Sequence, residues 1–159
     1  MPRLILGLIF VVASLLSACG LTPKDQAVAN ANDAISAVEE AGQQVADAIN
    51  QLPEEQVDAA AFSPLSQSLR TYIERAEQLN AALRGLGSFF PSLGTYIDET
   101  FRPAAESALQ ACQEALDSFS SEASSQEDYR RAVTRVGLCL QRFATAVSNV
   151  SAEYGRIPD

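Results

Sequence analysis

Residues 129–154 read YRRAVTRVGLCLQRFATAVSNVSAEY. Tyr129, Val133, Val136, Leu140, Phe143, Val147, Val150 and Tyr154 follow one another at alternating intervals of four and three, with arginines and small polar residues between them. A strand repeats every two residues and a helix about every 3.6, so this alternation lines the apolar side chains along one seam of a helix. Gly155 and Pro158 close the segment. Ser125 with Asp128 resembles a capping box in which Asp takes the usual Glu or Gln place.

Three further helices are expected before it. Pro23 to Leu52 places Val28, Ala31, Ile35, Val38, Gly42, Val45, Ile49 and Leu52 on one seam of small side chains. Thr22-Pro23-Lys24-Asp25 supplies the start, with Thr as N-cap, Pro at the first helical position and an acid at the third. Pro53 stops this helix, and an acidic connection with room for one helical turn runs to Phe62. Ser63-Pro64 opens the second helix as cap then proline, with Leu65, Leu69, Tyr72, Ala76, Leu79, Leu83 and Leu86 on its seam and Gly85 and Gly87 as the exit.

The third helix is less regular. Phe101, Ala105, Ala108, Cys112, Ala115 or Leu116, and Phe119 keep helical spacing. Pro103 either begins this helix or kinks a longer one; the favoured reading is a short piece from Ser92 to Thr100, then a main helix from Arg102 to about Glu122. A turn at Ala123-Ser124-Ser125 follows. No strand-like alternation, long linker or internal repeat interrupts these segments. The expected fold is all-α: an antiparallel up-down four-helix bundle in one domain, residues 23–159. The runner-up is two helical hairpins packed loosely together.

Leu16-Ser17-Ala18-Cys19, closing an apolar run from Leu4, resembles the lipobox of bacterial lipoproteins. The resemblance covers residues 1–19 only. It implies a signal peptide, residues 1–18, removed before Cys19, and acyl chains on the Cys19 sulfur that pin the mature chain to a membrane. Residues 19–22 then form a short tether. A transmembrane anchor is the competing reading, but Leu4 to Ala18 is 15 residues, short of the roughly 20 needed to cross a bilayer. Plain secretion, with Cys19 left as a thiol, is the other. Gly20, where retention at the inner membrane favours Asp, implies sorting to the outer membrane, facing the periplasm, in a Gram-negative host.

Cys112 and Cys139 remain. Outside the cytoplasm an even pair forms a disulfide, here joining the last two helices. The chain has no His and no Cys-x-x-Cys, which disfavours metal and redox sites, so no metal and no cofactor is expected. The net charge of −9 becomes −10 when Arg3 leaves with the leader, which argues against nucleic-acid binding. Residues 19–62 hold eight acids against Lys24 alone, whereas 124–159 hold five arginines against four acids. That gradient would help the first and last helices pair.

No catalytic group stands out. Glu39-Glu40, Glu54-Glu55 and Asp98-Glu99 are sequence neighbours that diverge on a helix, and without His the common general base and the Ser-His-Asp triad are excluded. Arg131, Arg135 and Arg142 share an outer face, read chiefly as a solvated surface. The most function-like segment is Gly87 to Tyr96, where Phe89, Phe90, Leu93 and Tyr96 concentrate apolar surface on a path bent by glycine and proline. Either these side chains bind a partner or the phenylalanines turn inward and plug the bundle.

Three roles fit. The first is a non-catalytic envelope lipoprotein that binds or scaffolds another envelope component, held to membrane lipid through Cys19. The second is an inhibitor or immunity protein against a basic toxin or lytic enzyme. The third is a carrier of lipid or another apolar ligand.

Overall fold

The structure, a computed structural model, describes residues 20–52, 59–120 and 126–157. Helix α1 spans Pro23–Asn50 and α2 spans Ser63–Gly87. A short α3, Pro91–Tyr96, continues through a π-helical turn at Ile97–Phe101 into α4, Arg102–Ser120; α5 spans Gln126–Tyr154. Among the described residues the chain is all-helical, with α3 to α4 acting as one rod, so four helical rods build the fold. Leu16 to Cys19, the Glu54-Glu55 pair, and the Ser125 cap with its preceding turn lie outside the described residues.

The start of α1 forms as its sequence dictates. The Thr22 hydroxyl accepts from the Asp25 amide at 3.2 Å, while the Asp25 carboxylate accepts from the Thr22 amide at 3.2 Å and its hydroxyl at 2.7 Å. These bonds satisfy donors that a helix start otherwise leaves open, and they hold the Asp25 carboxyl below the ordinary aspartate range. At α2 the outcome differs. A 3₁₀ turn at Ala59–Phe62 runs straight in, and Phe62 is already helical (φ −85°, ψ −7°), so Ser63 lies inside the first turn and does not cap it.

Pro103 does not break the chain. Its ring collides with the carbonyl four residues back and it donates no hydrogen bond; the π turn just before it widens the backbone and keeps Ile97 and Arg102 helical. The same turn settles a spacing problem. Leu93, Ile97, Phe101 and Ala105 recur every four residues, and all four are buried. In an unbroken α-helix, 12 residues at about 100° each would leave Leu93 and Ala105 about 120° apart. The wide turn returns all four to the core.

α1 packs mainly on α2 and α5 mainly on α4, with α2 also meeting α4; α1 and α5 touch only lightly. One contiguous apolar core joins them. Every expected seam residue of α2 is buried. In α5 the buried stripe runs through Tyr129, Ala132, Val136, Cys139, Phe143, Ala146, Val147 and Val150, leaving the expected Val133 and Leu140 half-buried. The Cys112–Cys139 disulfide, with Cα atoms 5.3 Å apart, turns this face toward α4. Small buried residues on both helices (Ala105, Ala108 and Ala115 in α4, Ala132 and Ala146 in α5) allow that approach. The anticipated pairing of charges between the first and last helices is not made: the ion pairs among the described residues, Glu127–Arg131 and Glu153–Arg156, are both local to α5 and its exit.

Candidate functional site

The segment Gly87 to Tyr96 forms the corner between α2 and α3, and glycines 87 and 94 make it tight. A Cβ on Gly87 would stand 2.9 Å from the Gly94 Cα, and one on Gly94 would stand 2.8 Å from the Gly87 oxygen. What Gly87 contributes is room for this crossing, not a left-handed helix exit. The Ser88 hydroxyl donates to the Gly85 carbonyl at 2.7 Å, and the Phe89 and Phe90 amides donate back to Leu86 and Gly87 at 3.0 and 3.2 Å. Phe90 is extended (φ −133°, ψ 90°), as a residue before proline must tend to be, and Pro91 starts α3.

The four apolar side chains of this corner part company. Leu93 is fully buried and serves the core. Tyr96 is half-buried. The Phe90 ring meets Tyr154 edge-on, with centroids 5.4 Å apart, and the Lys24 ammonium lies 4.7 Å from its centre. Phe89 alone points out, 42% exposed. Phe90 therefore gathers the first turn of α1, the α2–α3 corner and the last turn of α5 around one ring. Nothing in the spacing of residues 87–96 announced Lys24 or Tyr154 as its partners. The available signals were that Lys24 is the only lysine and that Tyr154 ends the α5 seam.

A second aromatic group lies where α2 begins, α4 ends and α5 begins. Phe62 stacks between Phe119 and Tyr129, with centroids 4.9 and 4.4 Å away, and all three are buried. A third apolar feature is a cleft between α1, α2 and α5, walled by Ile35, Leu83, Leu86 and Val147, where the Ser151 hydroxyl is buried without a hydrogen-bond partner. Its enclosed space is about 20 Å³, room for one water and no more. An apolar chain would enter only if α1 moved away from α5.

The polar candidates stay on the surface. Glu39, Glu40, Asp98 and Glu99 are exposed, as are Arg131, Arg135 and Arg142, with Arg131 held by Glu127 and Leu138 lying exposed in the same row. Among the described residues no cluster of three or more His, Cys, Asp or Glu side chains is placed to hold a metal, and no helix is long and apolar enough to cross a membrane. Compared with known proteins, the chain matches no family model, and neither a curated protein nor a solved structure is detectably similar to it.

Proposed function

We propose that the chain is a membrane-anchored, non-catalytic lipoprotein of the cell envelope, whose acidic helical body binds or scaffolds another envelope component. The observation that carries the reading is the stretch from Cys19 to Thr22: a lipobox cysteine three residues before a firmly capped helix. At about 3.5 Å per residue the folded body begins about 10 Å from the sulfur. Two or more acyl chains, at about 0.8 kcal/mol per buried methylene, make such an attachment effectively permanent. The bundle runs up-down and antiparallel in this reading. Phe62 with Phe119 and Tyr129 then marks one end, and Phe90 with Lys24 and Tyr154 the other, where the tether joins.

The partner surface is the outward face of α1. Asp33, Glu39, Glu40 and Asp47 are exposed there, and among the described residues none of them makes an ion pair. A basic protein is the partner that fits. Contacts of this kind are screened by salt over about 10 Å at 0.1 M, so capture that fades with salt supports the basic partner, and capture indifferent to salt removes it. Intact mass of the native protein tests the anchor: acyl mass on a chain beginning at Cys19 is expected. An unmodified cysteine at that position overturns the reading.

A further inference from the structure

Leu21 (61% exposed), Phe89 (42%) and Leu138 (48%) are the large apolar side chains left exposed among the described residues. Leu138 stands alone in an arginine row. Leu21 and Phe89 belong together: Leu21 precedes the α1 cap by one residue, and Phe89 adjoins the ring on which Lys24 rests. Two apolar side chains from distant parts of the sequence thus meet solvent at the place where the chain leads back to Cys19.

In a chain of net −9, three cations border this corner, Lys24 on the Phe90 ring, Arg84 in one hollow with Ser88, and Arg156 just beyond Tyr154. Their acidic neighbours are Asp25, Glu153 and Asp98. Of these acids, Asp25 is engaged by Thr22, Glu153 bonds Arg156 at 2.9 Å, and Asp98 lines the same hollow as Arg84. The rest of the surface, α1 above all, is acidic and would be repelled by anionic headgroups. Long cationic side chains beside exposed apolar groups suit the bilayer interface, where the stem lies on apolar surface and the charge reaches phosphate.

We propose that this corner, Phe89 together with Leu21, lies against the phospholipid surface to which residue 19 is attached, with Lys24 and Arg84 at headgroup level. The inference rests on the lipid-anchor reading and adds an orientation to it. The body does not tumble on its tether; α1 leads away from the bilayer and carries its carboxylates out of reach of the headgroups. Its 28 residues at about 1.5 Å each set Gln51 about 40 Å from Lys24.

The chain has no tryptophan, so Phe89→Trp and, separately, Gln51→Trp each place a single reporter in the full-length native protein. Each variant is reconstituted into phosphatidylethanolamine–phosphatidylglycerol vesicles containing lipids brominated along their acyl chains. The position-89 reporter is expected to shift to shorter wavelength and lose most of its emission, and the position-51 reporter to do neither. Flotation and intact mass are read on the same samples. Vesicle-bound, acylated protein whose position-89 emission stays unquenched overturns the docked corner and leaves the anchor standing. Equal quenching at both positions also overturns it, because the body then lies flat. Protein that neither floats nor carries acyl mass overturns both.

Discussion

Two aromatic groups mark this fold, and they are built to opposite ends. Around Phe62 the three rings stack face to face and are all buried. Around Phe90 a single ring is held edge-on by Tyr154 and covered by an ammonium, while Phe89 beside it stays in water. Burial of the first group seals the core; incomplete burial of the second leaves surface for something else. The difference shows that aromatic residues close together in sequence need not act together: Phe89 and Phe90 are neighbours with opposite environments.

The largest effect should fall on the closed group. Phe62→Ala removes a ring packed on both faces and is expected to cost about 3–5 kcal/mol, whereas Phe89→Ala should stay within about 0.5 kcal/mol. Denaturant unfolding of the two variants reads the contrast. Equal losses would mean that the Phe89 corner is core as well, and the comparison would collapse.

Next comes the disulfide. The bridge closes a loop of 27 residues' separation that contains Phe119 and Tyr129, two of the three stacked rings. Replacing Cys112 and Cys139 by alanine is expected to cost about 3–4 kcal/mol in the chain-entropy account. Hydrogen exchange should rise around Phe119 and Tyr129 while the Gly87–Tyr96 corner keeps its protection. A uniform rise would show that the two groups unfold as one unit.

A smaller loss, about 1–3 kcal/mol, is expected for Gly94→Ala, whose Cβ would meet the Gly87 backbone at 2.8 Å. Gly137, mid-α5, is the internal control. A Cβ there meets nothing within 4 Å, so Gly137→Ala should stabilise by about 1 kcal/mol through helix propensity alone. Thermal melting of the pair gives opposite signs if the α2–α3 crossing depends on absent side chains.

Much of the fold was legible in residue spacing, because a seam of leucines fixes which way a helix faces. Spacing predicts the α2 seam throughout, and the sequence likewise predicts the four helical rods and the Cys112–Cys139 link. The seams of α1 and α5 follow the buried stripe at most turns and depart from it by one position at two turns of each helix. Spacing favours Gly42, Ile49, Val133 and Leu140, whereas the buried neighbours are Ala41, Ala48, Ala132 and Cys139; Val147 is buried as expected, together with Ala146. In α5 hydropathy ranks the larger side chain as the inner one, while close helix contact selects the smaller, and the bridge to Cys112 reveals which governs there. The π turn has a visible signature in the repeated spacing of four from Leu93 to Ala105, but Pro103 within that run draws the sequence reading to a break instead. At the candidate site, sequence picked the segment and not its division of labour. That Phe90 turns in and Phe89 out depends on Lys24 and Tyr154, which lie more than 60 residues away on either side.

The smallest effect concerns what ties the half-open group to the start of α1. Hydrogen bonds from the Thr22 side chain, then its backbone, lower the Asp25 pKa below the ordinary aspartate value. A carboxyl with a depressed folded-state pKa contributes stability that is complete above its unfolded pKa, about 3.9, and is lost as pH falls through the lower folded value. The capping box should therefore be intact at neutral pH and open only in acid, below about pH 4. Asp25 is fully solvated, so the loss should be local: amide exchange in the first turn of α1 should quicken, and Lys24 should leave the Phe90 ring. Asp25→Asn, which cannot titrate, separates this from the protonation of other carboxylates. The difference in first-turn protection between the native chain and Asp25→Asn should be constant above pH 5 and shrink below about pH 4. The Phe62 group, with no carboxylate among its three rings, should show no such difference; if it does, the cap acts on the whole helical body and the two aromatic groups are coupled more tightly than their own contacts imply.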